Sequence, residues 1–159
     1  MTGKEQMNLE RLKISLQKCS THMSRLHYAT SQVSMLFPLT FEKYDTFSDA
    51  IIGNIDQMIF RFTKLQDELG NNTFRFLLEY LQEDITGKPF RDILNILERL
   101  KIIESADTWL ALRELRNDLT HDYPELIHET IDKLNHLYRQ LPLLENILTI
   151  TRQQVEKSE

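Results

Sequence analysis

Between Leu9 and Phe37 the chain sets apolar or small residues at Leu9, Leu12, Leu16, Cys19, Met23, Leu26, Thr30, Val33 and Phe37, alternately three and four positions apart. A strand cannot use such a pattern, because its side chains change face at every residue. A helix can, and a mean period of about 3.5 residues keeps the seam on one side along its whole length, as in a coiled coil. The spacing predicts one long helix over about residues 5–37, lying lengthwise along one or two partners. It should stop at Pro38, whose ring cannot continue the hydrogen-bond ladder.

Later segments repeat the helical spacing. Thr46 and Asp49 offer a capping-box-like start, with Asp in place of the usual Glu, to a helix carrying Ile51, Ile55, Met58, Phe62, Leu65 and Leu69. Ile52 and Ile59 widen that stripe enough to face two neighbours. Gly70-Asn71-Asn72 reads as its C-terminal cap and turn. Thr73 is then expected to cap a shorter helix with Phe74, Leu77, Leu78 and Leu81 on one face, ending by Thr86-Gly87. Pro89 suits the first turn of the next, which carries Ile93, Leu97 and Leu100 inward as far as Ile103. Ser105 is the expected N-cap of a helix through Trp109, Leu112, Leu115 and Leu119, ended by Pro124 because Tyr123 before it is pushed toward extended geometry. A last helix runs from Pro124 through Ile127, Ile131, Leu134, Tyr138 and Leu141, with a kink expected at Pro142 and a fraying polar tail over 152–159. Without period-two alternation or an internal repeat, the expected class is all-α, an antiparallel bundle of four to six helices in one domain over 1–159.

Size and charge narrow what such a bundle does. About 150 residues bury roughly 68–70% of the unfolded surface, so the core needs neither disulfide nor metal. Cys19 is the one cysteine, and the opening Met1-Thr2-Gly3-Lys4-Glu5-Gln6 has no apolar run to act as a signal peptide, so a reducing cytoplasm is expected. No segment approaches the roughly 18–20 uninterrupted apolar residues of a membrane helix, and no membrane partner is expected. With 19 Lys+Arg against 24 Asp+Glu, the net charge of −5 argues against a broad nucleic-acid-binding face and leaves local contact only.

One stretch departs from a solvated helix face. Arg116-Asn117-Asp118-Leu119-Thr120-His121-Asp122-Tyr123 holds a guanidinium, an amide, an imidazole and a phenol beside a helix end. Cleaving RNA without a metal requires a group to take the 2′-hydroxyl proton, a group to protonate the leaving 5′-oxygen, and fixed positive charge against the phosphorane between them. His121 suits the proton work, since free imidazole titrates at about 6.5. Arg116 presents a planar fork to two phosphate oxygens, and Asn117 orients either group. Five residues turn an ideal helix by about 500°, which leaves Arg116 and His121 roughly 140° apart. Either the helix distorts toward Pro124, or the pair is assembled across a two-fold axis, where identical histidines supply acid and base and two copies of Arg116, aided by Arg113, concentrate positive charge. The plainer alternative pairs Arg116 with Asp118 or Asp122, sets His121 on the helix dipole, and makes Tyr123 an aromatic cover for the next turn.

Residues 116–123 resemble the R-N-x-x-x-H-x-Y motif of HEPN domains, most closely the HepT-like toxins of HEPN/MNT toxin–antitoxin pairs. Asp107-Thr108-Trp109-Leu110-Ala111-Leu112-Arg113-Glu114-Leu115 and Pro124-Glu125 look like the same family, and the likeness covers about residues 48–150. The resemblance implies an all-α homodimer whose two motif copies face a shared cleft and form a metal-independent endoribonuclease. Arg116 and His121 would be catalytic, with Asn117, Asp118 and Arg113 as supporting polar groups. RNA would be held locally as substrate, without a cofactor. The implied partner is an MNT-type nucleotidyltransferase antitoxin, which in some systems transfers AMP to the motif tyrosine, here Tyr123. A sister group of the same fold is described as the substrate-binding subunit of a nucleotidyltransferase, which implies binding without cleavage.

Other candidates are weaker. Glu125-Leu126-Ile127-His128 has the Glu-x-x-His spacing of di-iron bundles, which need a second such pair that the chain lacks, so no metal is expected and His128 is solvated or bonded to Glu125. His22 and His27 stand five apart, a spacing that does not align ligands, and His136 is isolated. Cys19 reads as a small hydrophobe on its seam. Trp109, Phe60, Phe62, Phe74 and Phe76 read as core, and Tyr28, Tyr44, Tyr80 and Tyr138 as packing residues. There is no glycine-rich phosphate loop, nucleophile elbow or paired-cysteine zinc pattern.

Overall fold

Thr2 begins the first helix through a reciprocal capping box. Its hydroxyl accepts from the Glu5 amide at 3.1 Å while its own N–H donates to Glu5 Oε2 at 2.8 Å. The computed structural model describes residues 1–121 and 127–158. Helix α1 covers Gly3–Val33, so it starts two residues before the expected point, and it passes at Ser34–Leu36 into a 3-10 turn in place of a last α turn up to Phe37. The tighter turn gives the Phe37 amide a partner in Ser34 O, at 3.2 Å, before Pro38 removes the next donor. The seam behaves as its spacing predicts: Leu9, Leu12, Leu16, Cys19, Met23, Leu26 and Val33 are buried, with Thr30 and Phe37 half-buried at its end.

A single turn, α2 (Phe41–Tyr44), follows under a Thr40 cap. Helix α3 covers Asp49–Glu68 and is capped by Ser48, whose Oγ accepts from Ile51 N at 3.3 Å. The expected Thr46 box does not form, because the Thr46 hydroxyl donates backward to Lys43 O at 2.6 Å. Nor does α3 stop at Gly70-Asn71-Asn72. The chain winds through one π-helical turn, Leu69–Thr73, straight into α4 (Phe74–Tyr80).

The physical reason for that correction lies in two residues. Gly70 is not left-handed; it is buried, and a Cβ there would sit 3.2 Å from Trp109 Cζ2, so glycine serves close approach rather than a cap. Thr73 caps nothing. Its hydroxyl donates to Glu68 O at 3.1 Å across the wide turn and meets Ser15 Oγ at 2.7 Å on α1.

Helix α4 ends at Tyr80 rather than at Gly87, and residues 81–89 form a loop in which Gln82 and Gly87 have φ of 62° and 69°. Pro89 sits at the N-cap position of α5 (Phe90–Arg99), which buries Ile93, Leu94, Ile96 and Leu97 and ends short of Ile103, with Lys101 at φ 61° just past it. Helix α6 covers Ala106–His121; Ser105 Oγ caps it by accepting from Thr108 N at 3.0 Å. Helix α7, Ile127–Ser158, runs through Pro142 without interruption. Its end does not fray as expected: Thr151 and Val155 are buried, and the Arg152 guanidinium donates to Ser20 Oγ.

These helices make an all-α bundle, with no strand among the described residues. Helix α1 packs against α3, α4 and α7. It runs antiparallel to α3, since His22 meets Arg61 while Ser15 meets Glu68, and antiparallel to α7, since His27 meets Glu145 while Ser20 meets Arg152. Helix α3 in turn packs on α6, again antiparallel, with Gly70 against Trp109 and Asp67 against Arg116. Leu39 is pinned to α7 by the Asn135 amide, which accepts from Leu39 N at 2.7 Å and donates to Leu39 O at 2.9 Å. No described helix is long and apolar enough to cross a membrane.

Candidate functional site

Helix α6 is aimed by its apolar stripe. Ala106, Trp109, Leu112, Leu115 and Leu119 face the core, with the Trp109 ring edge-on to Phe74 at 4.7 Å. Arg116 is seven residues beyond Trp109, hence on the same face of an ideal helix to within about 20°. It therefore leaves the core at the α3 boundary and stays only 29% exposed at its side chain.

Two polar atoms fix its guanidinium. Nη2 donates to Asp67 Oδ2 on α3 and Nη1 to Asn117 Oδ1, each at 3.0 Å. Nε is buried and finds no acceptor among the described residues. Among the described residues its carboxylate partner is thus not Asp118 but one from another helix, while Asp122 lies outside those residues. Asp118 pairs with Lys133 on α7 at 3.5 Å, which makes it a tie between α6 and α7 rather than a support for Arg116. Arg113 is drawn toward α5, its guanidinium 5.4 Å above the Phe90 ring.

His121 closes the described part of α6 and is exposed there. Within one chain the helix remains regular to this point, so Arg116 and His121 diverge as the helical angle requires. Tyr123, Asp122, Pro124 and Glu125 lie outside the described residues. Thr120 spends its hydroxyl on Arg116 O and Asn117 O, at 3.0 and 3.2 Å.

No protein-family model, curated protein or solved structure matches the chain.

The remaining candidates have structural partners. His128 is exposed and stacks on the Phe41 ring at 4.3 Å; among the described residues no group of three His, Cys, Asp or Glu side chains is placed to hold a metal. His22 accepts from Arg61, His27 lies 3.3 Å from Glu145, and His136 lines an open groove of about 570 Å³ between α6 and α7. Cys19 is buried 3.4 Å from Thr73 Oγ1, and burial pushes its thiol up to about 11, which leaves no thiolate for nucleophilic work near neutral pH. Phe60, expected in the core, is 46% exposed under the Arg61 and Lys64 cations, which lie 5.2 and 5.6 Å from its ring centre.

The residue that spacing alone misses is Asp67. Its pairing with Arg116 joins positions 49 apart in sequence, and no local pattern encodes such a contact. The available signal is the polar run Gln66-Asp67-Glu68 inside an otherwise apolar stripe.

Proposed function

We propose that the chain is a HepT-like, metal-independent endoribonuclease that works as a homodimer through Arg116 and His121. The observation that carries this reading is the Arg116 guanidinium held at two corners by Asn117 and Asp67, on the helix that ends in an exposed His121. A fork fixed before substrate arrives loses little freedom when it meets a phosphate. One His121 takes the 2′-hydroxyl proton as the 2′-oxygen attacks phosphorus. The partner's His121 gives a proton to the departing 5′-oxygen, and Arg116 opposes the charge that builds on the phosphorane. The products are a 2′,3′-cyclic phosphate and a 5′-hydroxyl. Asp67 orients Arg116 in the free protein and yields part of it to the substrate phosphate. The proposed inhibitor is an MNT-type nucleotidyltransferase, with Tyr123 as its target for AMP transfer.

Purified protein should cleave single-stranded RNA in EDTA, and His121→Ala and Arg116→Ala should each lower the rate by at least about a hundredfold, the scale of one acid–base or oxyanion group. Intact RNA after incubation with the wild type refutes the proposal. A second reading follows from Asp67 itself, since a guanidinium half-neutralised by a carboxylate suits docking as well as catalysis. In that reading the chain is a non-catalytic substrate-binding subunit of a nucleotidyltransferase. It then copurifies with one, and its ligand affinity falls in Arg116→Ala but not in His121→Ala.

A further inference from the structure

The inner seam of α1 defines a heptad register that also labels the outside of the helix. With Leu9, Leu16 and Met23 in the first position and Leu12, Cys19, Leu26 and Val33 in the fourth, the outermost position falls on Met7, Ile14, Thr21 and Tyr28. Met35, in the following 3-10 turn, continues the series. A helix that meets water on that side carries polar residues there. Here Met7, Ile14, Tyr28 and Met35 are instead 50%, 60%, 67% and 73% exposed.

Cations repeat in the same register. Lys4, Arg11, Lys18 and Arg25, all exposed, stand seven apart along one flank of this apolar line, over about 31 Å of helix. The opposite flank is Glu10, Gln17, Ser24 and Ser31. Residues 11–41 contain no Asp or Glu at all. Helix α1 carries five Lys and Arg against two Glu in a chain whose net charge is −5. Between α1 and the α3–α4 junction a groove of about 310 Å³ follows the line, with Arg11, Ile14 and Lys18 on one wall and Glu68, Asn72 and Phe76 on the other, where Glu68 lies 3.9 Å from the largely exposed Lys18 ammonium.

We propose that this outer face of α1 docks an acidic amphipathic helix of another protein. Its apolar residues would seat on Met7, Ile14 and Tyr28, and its carboxylates would run along Lys4, Arg11, Lys18 and Arg25. A second copy of the same face is a poorer occupant: antiparallel pairing sets cations against cations, and parallel pairing sets them against Glu10, Gln17, Ser24 and Ser31, of which Glu10 alone is acidic. A nucleic acid would use the cations but leave Met7, Ile14 and Met35 in water, since aliphatic side chains offer no stacking surface to a base. A helical partner with a seven-residue repeat satisfies both series at once. None of these residues belongs to α6, so this inference does not depend on the ribonuclease reading.

The test uses the full chain and a fluorescein-labelled synthetic peptide about four heptads long, with leucines on its seam and glutamates on its flanks. Anisotropy should report binding in the micromolar range, at least about tenfold weaker for the doubly substituted Ile14→Ser, Tyr28→Ser protein and for Arg11→Glu, Lys18→Glu, each with an unchanged far-ultraviolet spectrum. A scrambled peptide of the same composition should bind at least about tenfold more weakly. Equal binding of the scrambled peptide, or unchanged binding in both double variants, overturns the proposal. So does tighter binding of an oligouridine or of phosphatidylglycerol vesicles through the same residues, or a dimer that Ile14→Ser converts to monomers.

Discussion

His22 holds its place by accepting a hydrogen bond. Arg61 Nη1 lies 3.0 Å from its Nδ1, and a guanidinium only donates, so that nitrogen carries no proton in the folded chain. Burial first, and then the Arg61 charge, lower its pKa from the ordinary 6.5; Lys64 and Lys18 act in the same direction and Glu68 against it. The unfolded chain therefore binds the proton at a higher pH than the folded one. Stability from this contact is complete above about pH 6.5 and declines as the pH falls toward the folded value. Urea midpoints should drop between about pH 7.5 and pH 5.5, and His22→Gln, which keeps an acceptor but cannot titrate, should drop less; equal slopes would refute the assignment. Gly70 makes a second case. A methyl group there must push against Trp109, which is 1% exposed and backed by Phe74. Overpacking of about 1–3 kcal/mol exceeds the gain of about 1 kcal/mol in helix propensity, so Gly70→Ala should unfold at lower urea by a net of about 1 kcal/mol.

Elements were legible where their signal was repetitive. The α1 seam alternates threes and fours for nearly thirty residues, and no competing structure satisfies it. The α3–α4 junction was not legible, because Gly70-Asn71-Asn72 has the composition of a cap while its glycine is needed by a tryptophan 39 positions on. The 3-10 turn before Pro38 and the Ser48 cap moved boundaries by a few residues, as local hydrogen bonds do. Within the candidate site, the placement of Arg116 and His121 on one helix and their angular separation followed from the sequence. The Asp67 tie and the diversion of Asp118 to Lys133 did not, since both join separate helices. Such joints are where single changes cost most. Asn135 closes both the amide and the carbonyl of Leu39, so Asn135→Ala should destabilise the chain by about 1–3 kcal/mol in chemical denaturation, whereas loss of an ordinary exposed side chain on α7 costs under about 0.5 kcal/mol.

At the scale of the whole molecule, the charge is divided rather than spread. A net −5 argues fairly against a uniformly basic surface, yet it averages an acid-free stretch over residues 11–41 with an acidic remainder. The proposed catalytic pair is divided too, and the division gives a clean experiment. Because one cleft needs His121 from both chains, mixing wild-type chains with an equal amount of His121→Ala chains should leave about a quarter of wild-type activity, the fraction of dimers that keep both imidazoles. Activity at about half, as expected of chains that act alone, would exclude that assembly. Gly70 links these scales. Trp109 and Arg116 share one face of α6, and Gly70 from the π-helical turn and Asp67 from the end of α3 meet them, so the hydrogen at position 70 acts as the spacer gauge that sets how near the two segments lie where Arg116 is clamped. A genetic screen for lost activity would then score Gly70 beside Arg116, although no atom of the glycine takes part in the chemistry.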